Sequence, residues 1–224
     1  MKYSVIIGLC IIVLCASGCK QYSFEHILID PDNGMMTIGE QVWMKENLSV
    51  KVFNNGDRIP RAQNAKEWEN AGKNKQPAWC YSNGDEHSVL YNWYAIQDPR
   101  GIIPDGWHIP TYDEIHYLMK IHQTLNNLVE HKNDYADAYS SRPSKHSSIT
   151  DNHTLYFIPL TYEGNRFGNG RFKGIENIGV FWTSEQPEEK TGYIPVFAQL
   201  ADEKEVYMIA SNPANGVSVR LIRN

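Results

Sequence analysis

Pro110-Thr111-Tyr112-Asp113-Glu114-Ile115-His116-Tyr117-Leu118-Met119 holds the clearest helix start in the chain. Thr111 can cap and Glu114 stands three residues on, so each side chain can satisfy a backbone N–H of the first turn. Ile115, Leu118, Met119 and His122 recur at helical spacing and should face a core. Upstream, Asn64 to Ala71 reads as a second, shorter helix, capped by Asn64 and closed by Gly72. Everything else with a pattern reads as strand. Before the helices come Phe24–Asp30, Met35–Ile38 and Gln41–Met44, with a Pro31-Asp32-Asn33-Gly34 turn between the first two. After them come Leu155–Ile158, Gly179–Thr183, Pro195–Leu200, Val206–Ala210 and Val217–Ile222, most of them separated by Gly and Asn turns. In the last of these Val217, Val219 and Leu221 alternate onto one face, which predicts a half-buried strand. Residues 123–153 are polar and irregular and read as a helix tail with an exposed loop. Strands, two helices, then strands predict an α+β domain with antiparallel sheets.

The amino terminus has a different character. One charge, Lys2, precedes the apolar run Ser4–Cys15 and the small residues Ala16-Ser17-Gly18 before Cys19. These are the three parts of a secretory signal, and the run is too short to span a bilayer. Ala16-Ser17-Gly18-Cys19 resembles a lipobox, with Ala16 where Leu is commoner. The resemblance implies cleavage before Cys19 and a lipid on its thiol. The expected organisation is a signal peptide over 1–18, a lipidated tether over 19–23 and one domain over 24–224. Lys20 after the cysteine implies sorting to the outer membrane, on either its periplasmic or its cell-surface face.

Cleavage there would leave 206 of the 224 residues, with 20 basic and 26 acidic side chains because only Lys2 departs. A net charge of −6 without a basic stripe argues against nucleic acid as a partner. Cys10 and Cys15 would leave with the signal. Cys80 would then be the one thiol without a lipid, and no internal disulfide is possible.

Six segments, taken in order, resemble the Fibrobacter succinogenes major paralogous domain, a family common in lipoproteins of Bacteroidetes. They are Ile38–Leu48 (Ile-Gly-Glu-Gln-Val-Trp-Met-Lys-Glu-Asn-Leu), Leu90–Ala95 (Leu-Tyr-Asn-Trp-Tyr-Ala) and Pro104–Thr111 (Pro-Asp-Gly-Trp-His-Ile-Pro-Thr). Phe157–Leu160, Phe181–Glu185 (Phe-Trp-Thr-Ser-Glu) and Gly216–Arg223 follow. The resemblance implies a C-type-lectin-like fold, in which the first and last strands pair, two helices flank the sheet and long loops gather at one end. It also implies that Trp43, Trp93, Trp107 and Trp182 are core. Relatives often carry Cys at the positions of Ile103 and Leu221, so these two aliphatic side chains should pack together.

The inventory of chemistry is short. A lectin calcium site needs several converging oxygens, and Gln186-Pro187-Glu188 offers one carboxylate with no Trp-Asn-Asp strand behind it. The acidic turns Asp30–Gly34 and Asn83–Glu86 read as solvated. The eight histidines have no zinc spacing, and His108 reads as a hydrogen-bonded structural residue. No Gly-x-Ser-x-Gly or phosphate loop occurs. The formylglycine-generating enzyme, distantly similar in fold, works through two reactive cysteines. Cys80 alone cannot supply that chemistry and reads as a buried, inert thiol. No cofactor, metal or catalytic residue is expected. The expectation is a non-enzymatic, membrane-tethered module that binds a glycan or a surface protein. Trp79, Tyr162, Tyr193 and Tyr207 are the candidate exposed aromatics for that contact. The alternatives are an envelope enzyme of unfamiliar type and a structural part of a surface assembly, the latter through an edge strand over 204–211.

Overall fold

The computed structural model describes residues 28–30, 34–82, 85–121, 161–201 and 206–224. The signal segment 1–18, Cys19, the tether, the 123–153 loop, the Leu155–Ile158 strand and His122 lie outside the described residues. Three short strands open the described chain, β1 (Leu28–Asp30), β2 (Met35–Ile38) and β3 (Gln41–Met44). Helix α1 (Ala65–Lys73), the hairpin β4 (Trp79–Ser82) and β5 (Asp85–Tyr91), and the single turn α2 (Trp93–Ile96) follow. Next come β6 (Trp107–His108) and the helix α3, described over 112–121. Beyond it lie β7 (Asn165–Arg166), β8 (Phe172–Lys173), β9 (Ile178–Trp182), β10 (Ile194–Leu200), β11 (Val206–Ser211) and β12 (Ile222–Arg223).

These form several small antiparallel sheets and few helices, an α+β arrangement. The largest sheet has the order β1-β2-β3-β12-β6, so the last strand lies between the third and the sixth. Ile222 sits opposite Trp43 on one side and His108 on the other. The two ends of the domain are therefore stitched together. A second sheet, β11-β10-β9, leaves β11 at an edge, as the 204–211 reading expected.

The β10 run is apolar at every position but Gln199 because both of its faces are covered. Val196 and Ala198, with Trp182 and Val180 opposite them, belong to the main core, which also holds Trp79, Tyr91, Trp93 and Leu221. Phe197, opposite Phe181 and Met208, belongs to a second core with Trp43, Ile115 and Leu118. A strand buried on one face alternates, whereas one buried on both does not. Trp43, Trp93 and Trp182 are buried as expected, and Trp107 is half-buried against the main core. Leu221 lies within that core and Ile103 packs against it from the partly buried margin.

Both cap readings have their geometry. The Thr111 backbone N–H donates to Glu114 Oε2 at 2.8 Å, and the Glu114 N–H donates to Thr111 Oγ1 at 3.3 Å. Asn64 Oδ1 accepts from the Glu67 N–H at 3.0 Å. Burial pushes the Glu114 carboxyl up, but the Thr111 N–H, His108 and the Thr111 hydroxyl outweigh it and hold the group below its ordinary value of 4.5. A carboxylate with a depressed value stabilises the fold above the ordinary value, and the contribution is lost as pH falls through the folded one. Glu114→Gln should therefore cost about 1 kcal/mol at neutral pH. Melting curves of variant and parent, followed by circular dichroism, should converge in acid.

Two expectations need correction. Gly72 does not close α1. It lies inside the helix against Ala214, whose Cβ would sit 2.7 Å from any Cβ placed there. The cap is Asn74, followed by Lys75 at φ 52°. The glycine serves close packing, not chain reversal.

The segment expected as a half-buried last strand, 217–222, forms isolated bridges at Val217 and Ser218 and joins β12 only at Ile222, and residues 216–222 are buried on both sides. Val217, Val219 and Leu221 do share the main core. The other face carries Ser218 and Arg220 into a polar network, not into water. Arg220 Nε donates to Asn47 Oδ1 at 2.7 Å, and its Nη1 donates to the carbonyls of Met44 and Lys45. Asn47 Nδ2 donates to Glu163 Oε1 at 2.9 Å, and Ser218 Oγ donates to Glu163 Oε2 at 2.8 Å. Burial pulls the Arg220 guanidinium down to about 10, against the attraction of Glu46 and Glu163, so it stays charged at neutral pH.

Candidate functional site

The stretch Trp79-Cys80-Tyr81 alternates across a strand, so Trp79 and Tyr81 share one face and Cys80 takes the other. On the Cys80 face a small core forms with Leu90 and Trp68. Burial pushes the Cys80 thiol up, against the pull of Arg166 beside it, so it stays protonated and unreactive at neutral pH. On the opposite face Trp79 and Tyr81 meet edge to face, with centroids 5.1 Å apart at 84°.

Segment 50–61 is pinned over this aromatic pair. Trp79 Nε1 donates to the Ile59 carbonyl at 3.0 Å, and the Tyr91 hydroxyl donates to the Val50 carbonyl at 2.6 Å. Burial, reinforced by Glu163, pushes Tyr91 well above the ordinary phenol range, so it remains a donor. Backbone bonds from Trp79 N to Pro60 O and from Ala62 N to Trp79 O complete the clamp.

The clamp delivers two exposed cations onto the rings. Lys51 Nζ lies 5.0 Å from the Tyr81 centroid and 5.4 Å from that of Trp79, and it donates to the Tyr81 hydroxyl at 2.9 Å. The Arg61 guanidinium lies 4.4 Å from Tyr81 and 5.5 Å from Trp79. Neither cation has a carboxylate partner among the described residues, whose ion pairs are Lys73–Glu69, Arg100–Asp57, Arg100–Asp98 and His108–Glu114. Arg58, also exposed, stands across from Val52 in the same segment.

The four aromatics singled out in the sequence do not gather. Trp79 is only 5% exposed, which corrects the reading of it as a surface platform. Its indole N–H is used inside, and it supports the cations from beneath. Tyr193 is exposed, at 42%, just before β10. Tyr207 is half-buried on β11 opposite Ala198. That is five residues along β10 from the level of Tyr193, about 17 Å at the strand rise. Tyr162 is half-buried, and its hydroxyl is enclosed. Sequence reasoning missed Lys51, Arg61 and Tyr81. The available signal was the i, i+2 spacing of Trp79 and Tyr81, which puts Tyr81 nearer the strand's open end.

A second place worth weighing is an open cleft of about 390 Å³ beside Trp107, His108, Gln97 and Ser184. His108 and Ser184 share it, so a serine-activating histidine has to be considered. Both imidazole nitrogens are engaged, Nε2 with Glu114 Oε1 at 2.8 Å and Nδ1 with Asn224 Oδ1 at 2.7 Å. No nitrogen is left to take a proton from Ser184, and His108 has the structural role expected of it. Glu188 accepts the Thr191 hydroxyl at 3.1 Å within its own turn. Among the described residues no group of three or more His, Cys, Asp or Glu could hold a metal ion. None of the helices there is long and apolar enough to cross a membrane.

Fold and site together define an α+β domain whose last strand lies between β3 and β6 and which carries a cationic, aromatic-backed face. The Fibrobacter succinogenes major domain family model matches residues 36–223, most of the chain, and the protein belongs to that family. No curated protein and no solved structure matched it.

Proposed function

We propose that this protein is a lipid-anchored recognition module outside the cytoplasm, non-enzymatic, binding a glycan or surface protein through the Lys51–Arg61–Tyr81 face. The observation that carries the reading is a pair of exposed cations held on aromatic rings with no carboxylate partner among the described residues. The rings take up one side of each cation and hold it in place, which leaves the remaining N–H groups ready for a ligand. The arrangement is read as C-type-lectin-like, on the strength of the last strand pairing with β3 near the start of the domain and the helices α1 and α3 beside small antiparallel sheets. Outer-membrane anchoring rests on Ala16-Ser17-Gly18-Cys19 and Lys20. Several acyl chains together, at about 0.8 kcal/mol per buried methylene, would hold permanently where one would not.

Two measurements test this. Cells expressing the protein should incorporate labelled palmitate into it, and Cys19→Ser should abolish the label; incorporation that survives the substitution removes the anchor. The detergent-solubilised full-length protein should give signals on a glycan array or in an envelope pull-down. Lys51→Ala with Arg61→Ala should reduce them about tenfold, a loss equivalent to 1.4 kcal/mol. Silence of the parent protein in both assays ends the recognition reading.

A further inference from the structure

We infer that the ligand of the Lys51–Arg61–Tyr81 face is an acidic saccharide, a sugar polymer bearing carboxylates, and this rests on the recognition reading above. The hydrogen-bonding inventory of the face is lopsided. Lys51 spends one N–H on the Tyr81 oxygen, which leaves the hydrogen of the Tyr81 hydroxyl free to donate outward. The side-chain N–H groups of Arg61 have no hydrogen bond among the described residues; its contacts are the rings. A ligand here must bring acceptors and negative charge.

Comparison with the other ring-bound arginines sharpens the point. Arg100 lies 3.9 Å over Phe53, but Asp98 takes its Nε and Nη2 and Asp57 its Nη1. Arg166 lies over Trp68 and Phe172, yet it is buried and bonded to the carbonyls of Gly170 and Ala62. Arg61 alone of the three is exposed and has no acceptor. Two exposed cations on adjacent rings, with no carboxylate partner among the described residues, favour a ligand of opposite charge.

The chemistry around the pair selects among anionic partners. A protein interface needs a desolvated apolar centre. Within segments 50–61 and 79–81 only Val52 is a large exposed apolar side chain. A membrane surface would be held weakly by so few charges. Nucleic acid needs many more phosphate contacts. A carboxylated sugar needs one planar fork, one ammonium and a hydroxyl donor, which is what the face presents. Each contact is weak, and repetition along a polymer supplies the avidity.

The full-length protein in non-ionic detergent should be titrated calorimetrically with polygalacturonate oligomers, neutral dextran oligomers and dextran sulfate at low salt. Galacturonate should bind, neutral dextran should be weaker by about tenfold or more, and added salt should weaken the former. Lys51→Ala with Arg61→Ala should lose about tenfold in galacturonate affinity with unchanged melting, and Arg61→Lys should recover only part of the loss of Arg61→Ala. Dextran bound as well as galacturonate, and lost in the double variant, overturns the acidic class but leaves the face as the binding site. Dextran sulfate bound while galacturonate is not overturns the carboxylate. Galacturonate binding indifferent to the double variant overturns the assignment to this face, and a protein captured through the face in place of any sugar overturns the saccharide.

Discussion

Arg220→Ala should be the most damaging single change away from the aromatic core, lowering stability by about 3–5 kcal/mol. The side chain is fully buried, and its removal strands the carbonyls of Met44 and Lys45 and the Asn47 oxygen without their donor. It also unsettles Glu163, which Asn47 and Ser218 hold in place from the same network. Arg220→Lys should rescue little, because a single ammonium cannot reach the Asn47 oxygen and the two carbonyls along the directions that the planar guanidinium spans. Urea unfolding measures this directly. A loss under about 1 kcal/mol would mean that water replaces the guanidinium and that the network is not buried.

Trp182→Ala should cost a similar amount, about 3–5 kcal/mol, for a different reason. The indole fills the main core, tilted at 52° against Trp93 with centroids 5.2 Å apart. Its removal leaves a cavity that the surrounding strands cannot close. The accompanying hydrogen bond, from Trp182 Nε1 to the Tyr91 carbonyl at 2.8 Å, matters less. That carbonyl also accepts from the Val217 N–H at 3.0 Å and stays satisfied without the indole. Trp182→Phe, which keeps most of the apolar area, should therefore lose only about 1–2 kcal/mol. Thermal or urea unfolding of the two variants separates packing from hydrogen bonding. Equal losses for Ala and Phe would assign the stability to the hydrogen bond.

The two substitutions mark different degrees of legibility in the sequence. Trp182 stands among apolar neighbours in a strand-like run, and its burial follows from the hydrophobic effect at that position. Arg220 stands in the alternating stretch 217–222, on the side that such patterns usually give to water. Nothing within several residues of it indicates Asn47 or the Met44 and Lys45 carbonyls, which lie some 175 positions earlier in the chain. Trp79 shows the converse error. It reads as a candidate surface platform, and only the fold of segment 50–61 across it reveals that it is covered.

By itself the sequence determined what short-range physics controls. Caps at Asn64 and Thr111, turn positions, strand alternation and the family motifs all act over a few residues, where steric and hydrogen-bonding preferences do not depend on the rest of the chain. Tertiary structure alone decided the double burial of β10, the close approach at Gly72, the buried polar face of segment 216–222 and the meeting of Lys51, Arg61 and Tyr81. Each of these joins groups distant in the chain, and the free energy that selects them appears only when the folded surfaces come into contact and expel water.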